Sequence, residues 1–142
     1  MRCMIAVLAA VSVAACSSGT APTANVAGTW TLTGNALTGG GTTCAVSASV
    51  QFVQAGSVLS GSLPGSGIVV NCTGSEVVVD TIVGTDVVTG SVNGANIVLQ
   101  LASNTVVATG TVTGSNAMGG SMMTLSIPAR GIDVTGPWSG SR

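Results

Sequence analysis

The groups able to do chemistry in this chain are few. Its acids are Glu76, Asp80, Asp86 and Asp133, and its cations are Arg2, Arg130 and Arg142. Histidine, tyrosine and lysine are absent. Glu76 and Asp80 share strand parity, and two carboxyls at a defined separation are what glycoside hydrolysis requires. In a chain that is only 5% charged, four acids read better as scarce solubilising groups. Serines are plentiful, yet no imidazole or amine can deprotonate one, so nucleophilic catalysis has no base. A metal site needs more ligands than a pair of thiols, and no histidine completes one. Glycine contributes 21 residues, but no helix pattern and no P-loop lysine follow the glycine-rich turns, so a phosphate cradle is not expected. Three arginines form no basic patch for nucleic acid. The expectation is therefore a protein that is not an enzyme, with no catalytic residue, no metal, no cofactor and no nucleic-acid partner.

The clearest signal lies at the start of the chain. Met1-Arg2 is a short positive opening, and Met4 to Val13 is a ten-residue apolar run broken only by Ser12. A bilayer core of about 30 Å needs roughly 20 apolar residues, so this run is too short to span one. A charged start, a short apolar run and small residues at a cleavage point are the parts of a signal peptide. Val13-Ala14-Ala15-Cys16 resembles the lipobox of bacterial lipoproteins, with Val13 where that family most often has leucine. The resemblance implies acylation of Cys16, a mature chain that starts there, and attachment to the bacterial cell envelope through lipid. Ser17, in place of aspartate, is similar to lipoproteins sent to the outer membrane. The organisation read from the sequence is a signal peptide over 1–15, a lipidated tether over 16–25 (small and polar, Ser17 to Asn25) and a folded domain over 26–142.

Cys3 leaves with the signal and Cys16 carries the lipid. Cys44 and Cys72 remain, an even pair in an exported chain, and a disulfide is expected between them. It would close a loop of about 28 residues. No CxxC redox motif is present.

The folded part must position these groups with strands. Past residue 25 no segment has a helical apolar period; valine and threonine dominate, and glycines punctuate short alternating runs. Val46, Ala48, Val50 and Phe52 alternate with Ser47, Ser49 and Gln51. A turn at Ala55-Gly56 would pair Phe52 with Leu59, Val50 with Gly61 and Ala48 with Leu63. A turn at Gly94-Ala95 would pair Val92 with Ile97, Gly90 with Leu99 and Val88 with Leu101. One at Ser103-Asn104 would pair Leu101 with Val106 and Leu99 with Ala108. One at Gly114-Ser115 would pair Val112 with Ala117 and Val106 with Met123. All these registers keep a single apolar face, which a one-residue slip would destroy. An antiparallel meander over 86–127 follows.

Three segments repeat one pattern, Ser/Thr-Gly-Ser/Thr-apolar-x-Gly-small: Ser60 to Ser66, Thr89 to Ala95 and Thr109 to Ser115. The last glycine is read as supplying positive φ to a turn, and the middle one as making room where the sheet coils. A tight hairpin at Pro64-Gly65 would carry Cys72 away from Cys44, and a disulfide needs Cα atoms within about 7 Å. The disulfide is preferred, with residues 64–75 bending away or running on irregularly.

Gly28-Thr29-Trp30 opens the first strand, and Gly136-Pro137-Trp138 to Arg142 closes the chain. A Gly-x-Trp at the start and an arginine on the last strand resemble the calycin superfamily, which includes lipocalins and avidins. The resemblance implies that Trp30 closes one barrel end with Arg142 across it, Arg130 being the rival partner. The chain lacks the C-terminal helix and the aromatic lining of that family. The expected fold is all-β, an antiparallel up-and-down meander closing into a barrel of about eight to ten strands, with a β-sandwich as the alternative. Phe52, Leu59, Leu99, Leu101 and Met123 are the candidate lining of a ligand space. Val98, Val107, Met118 and Met122 are read as outward, without the aromatic girdles of a membrane-spanning barrel. Two functions are open: an envelope lipoprotein binding a small apolar ligand, or a structural or interaction lipoprotein with a filled core, its protein partner unidentified.

Overall fold

The computed structural model describes residues 23–65, 67–82 and 87–142. The expected signal peptide and the expected acylation site at Cys16 lie outside the described residues, as does Asp86. The described chain forms β1 (Gly28–Gly39), β2 (Thr42–Ala55), β3 (Val58–Ser62), β4 (Ile68–Gly74), β5 (Val78–Ile82), β6 (Val88–Asn93), β7 (Asn96–Leu101), β8 (Val106–Val112), β9 (Ala117–Ile127) and β10 (Ile132–Ser141). A 3-10 turn, Pro128–Arg130, joins β9 to β10.

Strand order runs β1-β10-β9-β8-β7-β6-β3-β2 and returns from β2 to β1. Eight antiparallel strands thus close a ring, and β4 and β5 extend from β2 outside the circuit. The terminal strands are neighbours: Thr31, Leu32 and Thr33 of β1 face Ser141, Gly140 and Ser139 of β10. The first and last segments share one sheet, so the sandwich alternative is set aside. Closure pairs strand edges that would otherwise invite aggregation.

Period-two patterning drives these strands inward. Along β2, Cys44, Val46, Ala48, Val50 and Phe52 are buried while Thr43, Ala45, Ser47 and Gln51 are exposed. The meander β6-β7-β8-β9 has the expected order, and its first two turns keep the expected registers, Val92 opposite Ile97 and Leu101 opposite Val106. The second turn runs through three consecutive non-glycine residues at positive φ, Ala102, Ser103 and Asn104.

Other registers differ from expectation. The β2–β3 turn falls on Gly56 and Ser57, with Ala55 opposite Val58, so Phe52 faces Gly61 rather than Leu59. That is a slip of two residues, which leaves the buried face unchanged. Between β8 and β9, Val112 faces Met118, and Val106 faces Leu125, not Met123. The turn itself is one residue longer than expected, and a bulge between Thr109 and Thr111 adds the second residue of the shift. An extra residue reverses the parity of the strand beyond it. Met118, expected outside, is consequently buried, while Met122 on the near side of the bulge is exposed.

Pro64-Gly65 makes no hairpin. β3 and β4 both lie antiparallel to β2, β3 against residues 51–55 and β4 against residues 42–48. The chain runs on along the same neighbour, with residues 63–67 between the two strands. This brings Cys72 directly opposite Cys44, with Cα atoms 4.0 Å apart, and the two form a disulfide in the core.

The repeat has one spatial meaning at its middle glycine. A Cβ on Gly61, Gly90 or Gly110 would collide with a carbonyl oxygen of the adjoining strand, that of Gln51, Val98 or Gly119 respectively. The backbones approach too closely there for any side chain. The last glycine is less uniform. Gly65 and Gly94 have positive φ, but Gly114 does not, so the third turn does not need glycine for the reason the pattern implied.

Candidate functional site

The two ends of the ring differ in construction. At one end Trp30 is fully buried. Its indole N–H donates to the carbonyl of Val26 at 2.9 Å, which gives the polar edge of the ring a partner. The guanidinium carbon of Arg142 lies 4.9 Å from the centroid of the Trp30 ring, within cation–π range. Its Nη1 donates to the Ala27 carbonyl at 2.7 Å. Gly28 takes a φ of +120° just where Arg142 passes, 3.6 Å from the position a Cβ would occupy. Arg130, the rival partner, sits elsewhere: its Nη2 is 3.6 Å from Asp80, an ion pair half-exposed on both sides.

The segment before β1 is fastened to this same end. Ala24 N–H donates to Gly94 O at 2.8 Å in the β6–β7 turn. Gln54 accepts from Val26 N–H at 2.8 Å and donates from Nε2 to Ala24 O at 2.9 Å. One amide side chain thus pairs with two backbone groups on one edge of the incoming segment, as a neighbouring strand would, a role that the alternation of β2 did not flag. Ala24, inside the segment expected to be a free tether, is docked on the fold. Beside it lies an open surface cleft of about 600 Å³, whose lining includes Asn25, Thr113, Ser115 and Arg142.

The opposite end carries the disulfide and the β4–β5 extension. Asp80 on β5 reaches Arg130 after β9, so the ion pair ties the extension to the β9–β10 corner. Glu76 precedes β5 rather than lying in it, and its backbone N–H donates to the Thr42 hydroxyl at 3.3 Å. The shared parity of Glu76 and Asp80 therefore does not make them a strand-borne pair. Among the described residues, no three of His, Cys, Asp and Glu gather closely enough to hold a metal ion.

The five side chains expected to line a ligand space all point inward. Phe52, Leu59, Leu99, Leu101 and Met123 each have 1% or less of their surface accessible to water. A space large enough for a small apolar ligand beside them would leave them more surface than this, and they pack within one core cluster. The spaces that two inner glycines leave are also filled. A Cβ on Gly34 would lie 2.9 Å from Met123 Sδ, and one on Gly140 would lie 2.8 Å from both Leu32 Cδ2 and Met118 Cγ.

Trp138 plays a part that the sequence reading did not assign. Its Nε1–H donates to the Thr109 carbonyl at 2.9 Å, reaching across β9 to β8. The register shifts on both flanks, between Thr109 and Thr111 and between Gly136 and Trp138, interrupt the ladders at this spot. A bulge leaves a backbone group without a ladder partner, and the indole supplies one for Thr109. A Cβ on Gly120 would stand 3.0 Å from Trp138 Nε1, so this glycine makes the crossing possible. The consecutive Gly119-Gly120 was the available sequence sign that a large side chain crosses there.

No family model matches this chain, and no curated protein or solved structure matches it.

Proposed function

We propose that this protein is a bacterial envelope lipoprotein, held by an acyl group on Cys16 to the outer membrane, that works through its surface and catalyses no reaction. Support for the anchor is the order of a positive start, a short apolar run and Val13-Ala14-Ala15-Cys16. Support for export is the Cys44–Cys72 disulfide, a bond that persists in oxidising compartments.

The observation that carries the choice between surface and interior is the packing of Phe52, Leu59, Leu99, Leu101 and Met123 to 1% exposure or less. A calyx for a small apolar ligand needs an unfilled interior, whereas a closed, filled ring is a rigid platform for contacts made outside. The calyx remains the second reading, because the inward positions Gly90, Ala108 and Gly110 are small.

Expression in a Gram-negative host tests the anchor. Intact mass of the mature protein is expected to show a diacylglyceryl-modified Cys16, and Cys16→Ser is expected to move the protein out of the membrane fraction. An unlipidated N-terminus at another residue rejects the reading. Titration with an apolar fluorescent probe separates the two interiors: saturable binding, abolished by Leu99→Trp, supports a calyx, and no saturable binding supports the filled ring.

A further inference from the structure

The anchor proposed above and the folded ring together define an orientation. We propose that the Trp30–Arg142 end is the membrane-facing end, seated on anionic phospholipid headgroups through Arg142, with the disulfide end directed away from the bilayer. This inference rests on acylation of Cys16.

Chain length is the first argument. Ala24 is held at the β6–β7 turn by Gly94 and Gln54, so the described chain enters the fold at the Trp30 end. From Cys16 to Thr23 are seven residues, which span at most about 25 Å when fully extended. From Trp30 to Gly39 along β1 are nine residue steps, or about 30 Å at the strand rise. A tether leaving the Trp30 end is too short to run back along the ring and reach a membrane placed against the disulfide end.

Charge is the second argument, and it is independent of the first. The described carboxylates, Glu76, Asp80 and Asp133, all lie in the half that holds the disulfide. Glu76 adjoins Thr42, Asp80 reaches Arg130, and Asp133 faces Ser126 near the end of β9. At the Trp30 end the charged side chain among the described residues is Arg142, and it is exposed. One of its nitrogens is engaged with Ala27, which leaves further guanidinium N–H groups to donate to phosphate oxygens. The surface around it is uncharged and hydroxyl-bearing, with Thr113 and Ser115 in the same cleft. An anionic leaflet repels the end that holds the three carboxylates, and at the Trp30 end it meets the Arg142 guanidinium.

The test uses the full acylated protein in vesicles of phosphatidylethanolamine and phosphatidylglycerol, some of the lipid carrying a nitroxide on its headgroup. A fluorophore is placed at Ser115→Cys in one variant and at Val77→Cys in another; both sites are exposed, on opposite ends of the ring. Labelling without reductant leaves the disulfide intact. Quenching at position 115 is expected to exceed that at position 77 at least threefold, and Arg142→Gln is expected to reduce the difference. Equal quenching, or stronger quenching at position 77, in protein whose mass shows the lipid overturns the orientation alone. Protein that lacks the lipid and does not associate with the vesicles overturns the anchor and the orientation together.

Discussion

Arg142 lays its guanidinium 4.9 Å from the centroid of the Trp30 ring and donates to the Ala27 carbonyl over a sequence separation of 115 residues. The contact joins the opening and closing strands at the seam of the ring, where β1 and β10 pair. It places a cation over an indole whose own N–H is already satisfied by Val26.

Removing the tryptophan therefore removes the packing of one end. Trp30→Ala is expected to destabilise the fold by about 3–5 kcal/mol, the range for a buried large aromatic. Arg142→Ala should cost far less, about 0.5–2 kcal/mol, because its contact is one cation–π pair and one hydrogen bond at an exposed site. Urea unfolding of the two variants beside the parent, followed by circular dichroism, reads both values. A larger loss from Arg142→Ala than from Trp30→Ala would contradict this account.

The disulfide joins two residues that already face each other in the β2–β4 ladder. Its contribution should come mainly from restricting the unfolded chain, about 3–4 kcal/mol for a loop of this size. The double variant Cys44→Ala with Cys72→Ala is expected to unfold in a single transition at a lower midpoint, with the same far-ultraviolet spectrum at low denaturant. Loss of the strand spectrum under native conditions would mean that the bond defines the fold and does not merely stabilise it.

Two glycines of the same repeat should respond in different ways. Gly90→Ala drives a methyl group into the carbonyl of Val98 and is expected to cost about 1–3 kcal/mol, as overpacking does. Gly114 has nothing within 4 Å of a would-be Cβ and no positive φ. Gly114→Ala should be neutral or stabilising by up to about 1 kcal/mol, since it restricts the unfolded chain. Thermal unfolding of both variants checks the contrast, and equal destabilisation would refute it.

The turn from β7 to β8 holds Ser103 at a φ of 54°, between two other left-handed residues. A left-handed conformation costs a non-glycine residue roughly 1–2 kcal/mol. Ser103 is exposed, so Ser103→Gly removes strain without opening the core. The expected result is a rise in the urea midpoint corresponding to about 0.5–1 kcal/mol, smaller than the full strain because glycine loses more entropy on folding. A lower midpoint would show that the serine makes a compensating contact.

What the sequence determined by itself was local. Alternation of Val46, Ala48, Val50 and Phe52 implied a strand with one buried face, and small turns after Val92 and Leu101 implied registers that the ladders show. Side-chain parity is a property of a few consecutive residues, so it can be read from them. A single buried face on strand after strand fits a sandwich as well as a barrel, so closure itself was settled by the pairing of β1 with β10. Tertiary structure decided the rest. The bulge opposite Gly110 turns Met118 inward, and it exists where the indole of Trp138 crosses from β10 to the carbonyl of Thr109. The preference for a Cys44–Cys72 bond over a hairpin at Pro64-Gly65 came from the sequence, but the placement of β4 along β2 on the same side as β3, which sets Cys72 opposite Cys44, did not. Whether the inner face encloses a ligand space was equally beyond the sequence. The space beside Gly34 and Gly140, for example, is occupied by Met123, Leu32 and Met118, which are remote from those glycines in the chain. Each of these outcomes depends on atoms far apart in the chain competing for the same volume, and no local pattern records who wins.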